Sequence, residues 1–465
     1  MNLVWFRNDL RLDDNPALYE ACLNNEAVQA VYVATPSQWQ QHDEAPIKLG
    51  FRSAALSSLS KQLDSLGIPL TLLEGDDFKT LPTLITDFCR QQKIKRVFFN
   101  RETPLHEQQR DQSVTAELEK AGIACEAFNG DLLVTNPVTT QNGEPYKVFT
   151  PWYRNWLKQL EQSFTAPLLQ PAPASRQSSK KAINTDFLLP GSQPFRDDLW
   201  PATEQEGLSR LAKFANRRLT HYTEHRDYPA INGTSTLSPY LASGLISPRR
   251  CVAMIQQASA EQGFDWRESS WLRELAWREF YRYLMISFTQ LSQNKPFKSN
   301  PKEWPWQPNP TALKAWQTGN TGFPIIDAAM RQLLQTGWMH NRLRMLTASF
   351  LCKLLLIDWH EGQRFFMQHL IDGDFASNNG GWQWSASTGC DASPWFRIFN
   401  PETQSRKFDA DGRFIAKFIP ELAKLDNKQI HAPSATLRKQ VRYADPIIDY
   451  KAARQRALSS FETGN

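Results

Sequence analysis

The sequence predicts an α/β N-terminal domain, with a doubly wound parallel five-stranded sheet, followed by an all-α C-terminal domain. Short β-rich runs alternate with longer amphipathic ones over the first 130 residues. After residue 207 strand signals nearly disappear and helical periodicity dominates. The length of 465 residues is too great for one hydrophobic core, so division into two or three domains is expected.

Five apolar runs supply the predicted strands, and they are LVWF, AVYVA, LTLLE, RVFFN and CEAF. Stretches such as FRSAALSSLSKQLDSLG separate them, which is the rhythm of repeated βαβ units. We therefore predict an α/β domain over residues 1–130. It lacks GxGxxG after the first strand and the chain lacks GxxxxGK[ST], so a nucleotide-like cofactor here would not use the common phosphate loops.

Residues 131–206 are predicted to form an interdomain linker, because the composition from 164 to 201 shifts to Pro, Ser, Gln and Lys without an apolar period. Residues 207–465 form the predicted helical domain. The net charge is −4 over residues 1–160 and +9 over residues 161–465. This excess suits a polyanionic partner, although an ordinary solvated surface also explains it. Six scattered cysteines without a CxxC pair, and no membrane-length apolar run, predict a reduced, cytoplasmic protein.

Two predicted helices place charged side chains and flat rings on one strip, at spacings of three and four residues. The first strip consists of Trp271, Glu274, Arg278 and Tyr281, with Trp277 at its margin. The second consists of Trp338, Asn341, Arg342 and Met345, with Arg344 beside it. Asp372 and Asp374 are candidate partners for the arginines of the second strip. Taken alone, the first strip is more typical of a surface Glu274–Arg278 pair over a partly buried aromatic stripe.

Tryptophan is concentrated in the C-terminal part, where eleven of the sixteen lie between residues 266 and 395. Core packing does not require this density, and indole rings both stack on bases and give up electrons readily. The hydroxyl-rich run TSTLSPYLASG is either a helix cap or a phosphate seat. His221, Glu224 and His225 fit the HxxEH zinc-hydrolase pattern. Such short patterns arise often by chance and no second acidic helix completes the site, so we predict no metal.

Six segments resemble, in the same order, those of the bacterial class I cyclobutane pyrimidine dimer photolyases. They are LVWFRNDLRLDDNPAL, GTSTLSPYLASGLISPR, LAWREFYR, TGFPIIDAAMRQL, GWMHNRLRM and DGDFASNNGGWQW. The resemblance covers residues 3–450. It implies an antenna domain, a helical FAD-binding domain and light-dependent repair of pyrimidine dimers in UV-damaged DNA. In this family excited, reduced FAD donates an electron to the flipped-out dimer, and the cyclobutane ring splits.

The resemblance also implies the cofactor site. The FAD-lining positions would be Tyr222, Thr234, Ser235, Thr236, Leu237, Ser238, Trp271, Glu274, Arg278, Trp338, Asn341, Arg344, Asp372, Gly373, Asp374 and Asn378. Glu274, Asn341 and Asn378 would be the catalytic residues. By the family pattern, Asp372 meets Arg344, and Asn378 lies at flavin N5. A neutral amide there adds no negative charge, which favours the fully reduced flavin. Three tryptophans would relay electrons outward, from Trp382 through Trp359 to Trp306.

For DNA, the resemblance implies that Trp277 and Trp384 hold the flipped-out dimer. The DNA-binding residues would be Arg226, Glu274, Trp277, Arg278, Tyr281, Asn341, Arg342, Met345, Trp384, Arg397, Gln404 and Lys407. Asn341 and Met345 match the cyclobutane-dimer branch, whereas the (6-4) branch has His at the first position. The rival interpretation is a cryptochrome-type blue-light sensor, which would lose the tryptophan pair or carry a carboxylate near N5. We expect a monomer.

An antenna chromophore is also implied, and methenyltetrahydrofolate is the expected one. Glu107 matches a family contact to this folate, and its neighbour His106 stands where Asn is usual. Ser292 and Gln293 stand where Cys and Lys are usual. Because of these departures a deazaflavin, another flavin or an empty site stay open as alternatives.

Overall fold

The computed structural model describes residues 1–23, 26–172, 186–298 and 305–462. The chain divides into two compact units. Unit 1 comprises Met1–Thr220, Ser235–Gln293 and Ile371–Ala376, and unit 2 comprises His221–Thr234, Asn294–Leu370 and Ser377–Asn465. The predicted domain boundaries at residues 130 and 206 stay predictions.

Unit 1 contains the five-stranded parallel sheet that the sequence predicts, with strand order β3-β2-β1-β4-β5. The strands are β1 (Asn2–Phe6), β2 (Val28–Ala34), β3 (Leu70–Glu74), β4 (Arg96–Asn100) and β5 (Ala124–Phe128). The order reverses at β1, as in a doubly wound sheet, and each predicted apolar run forms a strand. Leu3 and Trp5 on β1 are buried in a core with Val97 and Phe99 on β4, because alternate residues of a strand share one face.

Twenty α-helices complete the described chain. In chain order they are α1 (Pro16–Cys22), α2 (Pro36–Gln41), α3 (Pro46–Ser65), α4 (Leu81–Gln91), α5 (Leu105–Lys120), α6 (Phe149–Ser163), α7 (Glu204–Arg217), α8 (Tyr222–His225), α9 (Ser238–Ala242), α10 (Pro248–Gln262), α11 (Ser270–Ser287), α12 (Pro310–Gln317), α13 (Pro324–Thr336), α14 (Asn341–Ser349), α15 (Trp359–His369), α16 (Phe375–Ala386), α17 (Pro401–Phe408), α18 (Arg413–Phe418), α19 (Ala435–Val441) and α20 (Tyr450–Glu462).

The core of unit 2 is helical and rich in aromatic rings. Trp316 is fully buried, and its indole Nε1 donates to the Thr347 carbonyl at 3.1 Å. Helix α14 is followed directly by a π-helical turn, Phe350–Leu354, in which the Leu355 N–H donates to the Phe350 carbonyl. Such turns accommodate one extra residue and are frequent at functional sites.

The predicted linker contains helix α6, which the sequence interpretation missed. Phe149, Trp152, Trp156 and Leu160 recur at spacings of three and four residues and are all buried. The Ser- and Lys-rich part of the predicted linker, residues 173–185, lies outside the described residues. All six cysteines are free. No helix among the described residues is both long enough and apolar enough to cross a membrane.

Candidate functional site

Helix α11 carries the first predicted strip, in unit 1. The Ser269 hydroxyl caps the helix by accepting from the Leu272 N–H at 3.5 Å. Trp271 is buried against Phe214, with ring centroids 4.9 Å apart, while Glu274 and Arg278 are half-buried. The strip therefore has an anchored aromatic end and polar groups that remain accessible.

Two arginines of α11 form salt bridges with carboxylates that lie far away in the sequence of unit 1. Arg278 and Arg282 both bind the Asp131 carboxylate, and Arg282 Nη2 also lies 2.8 Å from Asp374 Oδ2. Burial alone would raise the pKa of Asp131, but the two guanidinium charges hold it well below its usual range. Arg282, one turn beyond Arg278, is a partner of Asp374 that the sequence did not reveal, and the predicted pairing of Asp374 with an arginine of the second strip stays a prediction.

Glu279 is a buried carboxylate that sequence reasoning missed. Its oxygens accept from the Leu133 N–H at 2.6 Å, the Val134 N–H at 2.9 Å and the Trp156 indole Nε1 at 2.7 Å. Burial raises the pKa of Glu279 to about 7, against the lowering effect of these donors. The side chain joins α11 to α6 and to the segment after β5, so it fixes the helix that carries the strip.

Trp277 presents a flat, half-exposed ring. Phe149 stacks on it with ring centroids 3.7 Å apart and an interplanar angle of 8°. Tyr281, also predicted to contact substrate, lies beside it at 5.7 Å between centroids. Because one face of the indole is held by Phe149, the ring has a fixed orientation, which suits a stacking platform.

The hydroxyl-rich run has strained backbone. Thr236 has φ of 54°, the left-handed region that a β-branched residue rarely adopts, and its hydroxyl donates to the Ser235 carbonyl at 2.7 Å. Leu237 is fully buried, and helix α9 begins at Ser238. Such strain clusters at ligand sites. Thr234 and Tyr222, by contrast, belong to unit 2, where Arg226 lies over the Tyr222 ring at 5.3 Å.

Helix α14 carries most of the second strip, in unit 2. His340 caps the helix, its Nδ1 accepting from the Arg342 N–H at 3.2 Å, and Trp338 meets the His340 ring edge to face at 6.3 Å. Asn341 in the first turn is exposed, and Met345 follows on the same strip, half-buried. The Arg344 side chain donates to the Met339 carbonyl at 2.8 Å. The predicted Asp372–Arg344 pair joins residues of different units and stays a prediction.

Arg342 and Lys407, two of the residues predicted to bind DNA, lie over one ring. The Arg342 guanidinium lies 4.7 Å and the Lys407 ammonium 5.1 Å from the centroid of Phe408. Arg342 also binds Asp227 at 2.6 Å, a partner that the sequence did not reveal. Gln404 is half-buried on the same helix, α17, as Lys407. Arg397 is exposed in the segment before that helix.

Asn378 on α16 has an orientation fixed by its neighbour. Its side-chain amide nitrogen donates to the Gln363 carbonyl at 3.0 Å. Because a carbonyl only accepts, the NH₂ group must face Gln363, so Oδ1 is the atom left to accept from a ligand. Nearby on α16, a Cβ added to Gly381 would meet nothing within 4 Å, which leaves room for a flat group. These features fit a flavin, whose N5–H would donate to Oδ1.

The three relay tryptophans all pack in unit 2, and the last of them in the predicted order, Trp306, is the most exposed. Trp382 and Trp359 are buried, at 2% and 1% exposure, whereas Trp306 is half-buried. Trp382 is enclosed by Phe366 and Trp316, with ring centroids 5.0 and 6.0 Å away. Trp384, two residues after Trp382, is half-exposed.

The predicted antenna residues lie in a polar cluster of unit 1, in which Glu107 and His42 are half-buried and His106 is exposed. His106 stacks on His42, with centroids 5.5 Å apart, and His42 Nδ1 lies 3.7 Å from Glu107 Oε1. Glu107 Oε2 is buried without a hydrogen-bond partner in the described part of the chain. Burial raises the pKa of Glu107 to about 7, and the nearby Glu102 adds to the shift. Ser292 accepts from the Leu105 N–H at 3.3 Å at the start of α5, while Gln293 is exposed.

The HxxEH residues lie together in unit 2, at the short helix α8. His221 and Glu224 are exposed, with His221 Nδ1 3.7 Å from Glu224 Oε2, and His225 stacks on His221. Within the described ranges, no group of three or more His, Cys, Asp or Glu side chains is arranged to hold a metal ion.

The fold and these strips define a class of two-part flavoproteins. Residues 2–174 match the family model described as DNA photolyase, and residues 271–463 match the FAD binding domain of DNA photolyase. The chain is 46% identical to a deoxyribodipyrimidine photo-lyase of Salmonella typhimurium, over 99% of this chain and 98% of the relative. The chain belongs to the DNA photolyase family.

Two solved structures share the whole fold. A class III photolyase from Agrobacterium tumefaciens is 36% identical, with a TM-score of 0.88 over 99% of this chain and 97% of that one. A cryptochrome from Synechocystis sp. PCC6803 is 28% identical, with a TM-score of 0.86 over 99% and 98%. The predicted family, fold class, DNA photorepair activity and FAD cofactor are thereby confirmed. The roles of individual site residues stay predictions.

Proposed function

We propose that this photolyase repairs cyclobutane pyrimidine dimers in UV-damaged DNA, as a cytoplasmic monomer that uses fully reduced FAD. The observation that carries the substrate proposal is Trp277, a half-exposed indole held flat by Phe149 beside Glu274. Trp277 and Trp384 would hold the dimer between flat rings. Glu274 and Asn341 would hydrogen-bond its pyrimidine edges. Bound reduced FAD supplies, under light, the electron that opens the cyclobutane ring and afterwards accepts it back.

The proposed reduced state rests on Asn378. Because the Asn378 amide nitrogen donates to the Gln363 carbonyl, its Oδ1 is available to accept from an N–H. Flavin N5 carries a hydrogen only after reduction. The amide also adds no negative charge, unlike the carboxylate expected of the sensor alternative. Asn378 therefore favours the state that repair requires.

The direct test is illumination of purified protein, with chemically reduced FAD, on DNA containing thymine dimers. We expect dimers to disappear under near-ultraviolet light and to persist in the dark. Unchanged dimer counts after illumination, with the flavin still reduced, would reject repair and favour the cryptochrome-type sensor. DNA carrying (6-4) lesions serves as the specificity control, because Asn341 replaces the His of that branch.

Trp277→Ala is expected to weaken dark binding to dimer-containing DNA by about 10- to 100-fold, since base–aromatic stacking contributes roughly 1–3 kcal/mol per base. Binding to undamaged DNA should change little. Equilibrium titration of both duplexes in the dark measures the difference. Trp266→Ala is the matched control, because Trp266 is also half-exposed but lies in a short 3₁₀-helix next to Arg267. An equal loss on both duplexes would contradict the stacking role.

We further propose methenyltetrahydrofolate as the antenna, held by Glu107 and His106 with His42. A pterin ring offers adjacent N–H donors, and the buried Glu107 Oε2 is an acceptor positioned for one of them. A pterin suits this carboxylate better than a flavin does, because a flavin offers fewer adjacent N–H donors. An absorbance spectrum of the purified protein distinguishes folate from deazaflavin, a second flavin or an empty site.

Folate affinity is expected to increase with pH. Binding needs the ionised carboxylate, and a pKa of about 7 for Glu107 leaves it mostly protonated at pH 6. The ionised fraction, and with it the affinity, should rise about tenfold from pH 6 to pH 8. Fluorescence titration with methenyltetrahydrofolate, read within minutes of mixing, measures the affinity at each pH. Glu107→Gln should bind weakly without this rise, whereas Glu119→Gln, on the exposed face of α5, should retain it. Affinity that falls with pH would refute the assignment.

A further inference from the structure

The segment Ser393–Arg397, which we name the 393–397 loop, follows α16 in unit 2. Ser393 is buried, while Pro394, Phe396 and Arg397 are exposed. The Ser393 N–H donates to the carbonyl of Trp384 at 3.1 Å, so the loop begins against a residue proposed to hold the dimer. The loop ends at Arg397, one of the residues predicted to bind DNA.

A buried lysine lies beneath this loop. Lys353 is 1% exposed, and its ammonium nitrogen lies 3.3 Å from Ser393 Oγ, 3.0 Å from the Pro394 carbonyl and 3.1 Å from the Arg397 carbonyl. An ammonium has three donors, so these three oxygens satisfy it completely. All three acceptors belong to the 393–397 loop, at its two ends.

The partners of this ammonium are neutral oxygens, where a buried charge would be expected to form an ion pair. In the described chain no carboxylate forms a salt bridge with Lys353, and the like charge of Arg397 disfavours its charged form. Burial, with Arg397 adding to it, lowers the pKa of Lys353 to about 8. An apolar side chain would fill the same space without the cost of burying a charge. We therefore infer that the charge holds the loop in place and does not stabilise the core.

The backbone around Lys353 is specialised. Lys353 lies in the π-helical turn Phe350–Leu354, and the other four residues of that turn are all buried apolar side chains of the unit 2 core. An extra residue in a helical turn changes the direction of the side chains near it. The turn is packed in the core, and it directs the Lys353 ammonium toward the 393–397 loop.

We propose that Lys353 is a positioning residue for DNA binding, whose ammonium fixes both ends of the 393–397 loop so that Arg397 points outward to receive a phosphate beside the lesion. The proposal rests on the proposed function. Ordering the loop before DNA arrives lowers the conformational entropy lost on binding. Lys353 itself, being buried, does not contact the DNA.

The test is dark binding of FAD-loaded Lys353→Met to dimer-containing DNA. Methionine keeps the volume and removes the charge, and we expect the Kd to rise about tenfold, the effect of one lost phosphate contact and a newly mobile loop. Lys298→Met is the matched control. Lys298 is an exposed lysine whose Nζ is 3.5 Å from the Ser387 carbonyl, so it controls for the loss of one positive charge. Its Kd should change less than about twofold.

A double-mutant cycle separates positioning from general damage. If Lys353 acts through Arg397, Lys353→Met should add little once Arg397→Gln is present, and Lys353→Arg should restore part of the affinity. Saturating DNA and light should give a near-normal repair rate, so the defect appears in KM and not in kcat. Full additivity with Arg397→Gln, or an unchanged Kd, would overturn the proposal.

Two further arms keep the result interpretable. If Lys353→Met does not retain FAD, Ser393→Ala removes one of the three acceptors, and a rise in Kd of about twofold to threefold supports the proposal while no change opposes it. Wild-type protein that neither binds nor repairs dimers would refute the proposed function itself. Wild-type repair with an unaffected Lys353→Met variant refutes only the role of Lys353.

Discussion

Glu279→Leu is expected to lower the free energy of unfolding by about 3 kcal/mol or more. The substitution removes the acceptor from three buried donors, on Leu133, Val134 and Trp156, and each donor left unsatisfied costs roughly 1–3 kcal/mol. Without these hydrogen bonds α11 is no longer fixed to α6 and to the segment after β5. Because α11 carries Glu274 and Arg278, the FAD content should fall as well. Urea unfolding and the flavin-to-protein absorbance ratio measure the two effects. Glu268→Leu, an exposed control, should stay within about 0.5 kcal/mol of wild type.

Glu279→Gln tests the electrostatic part of this role. Because burial raises the folded-state pKa of Glu279 to about 7, above the ordinary value of 4.5, the folded protein holds this proton more tightly than the unfolded chain does. Stability from this group is therefore present below pH 4.5 and is lost as the pH rises to 7. The Gln variant should show a smaller decline in stability over that window. An identical pH profile in the two proteins would contradict the assigned pKa.

Features with a local period were predictable from the sequence. Strand β1 and its neighbours appear as apolar runs separated by amphipathic stretches, and the strip of α11 follows from spacings of three and four. The resemblance in six segments placed an FAD-binding domain in the C-terminal part of the chain, and the family match confirmed this. The helix α6 was missed because a Pro- and Ser-rich stretch follows it, and composition masked its four buried apolar positions.

Partners that are distant in sequence were not predictable. Asp131 lies 147 residues from Arg278, and no local pattern assigns one to the other. The contact between His42 and His106 likewise joins residues 64 positions apart, and no local pattern predicts it. Two signals were present. Glu279 interrupts the apolar face of α11 between Ala276 and Phe280, and Lys353 interrupts an apolar run. A charged residue on a buried face indicates a dedicated partner.

Gly362→Ala is expected to reduce photoreduction of FAD at least tenfold, because it displaces the ring proposed to begin the electron relay. A Cβ at Gly362 would lie 2.1 Å from Trp382 Cη2 and 2.7 Å from Leu351 Cδ2, far inside contact distance. Trp316 and Phe366 pack against the Trp382 ring, with centroids 6.0 and 5.0 Å away, and so oppose its displacement. Overpacking of this kind costs typically 1–3 kcal/mol, so stability should also fall. Blue-light photoreduction with an external reductant and thermal unfolding measure the two losses.

The two losses have different origins and are separable. In Gly362→Ala/Trp382→Phe the smaller ring makes room for the methyl group, so stability should recover in part, while photoreduction should stay blocked because phenylalanine is far harder to oxidise than tryptophan. Arg364→Ala, an exposed position on the same helix, should leave both unchanged. Repair by chemically reduced enzyme does not need the relay, and the double variant should retain it if FAD is bound. Photoreduction that returns together with stability in the double variant would show that Trp382 serves packing and not electron transfer.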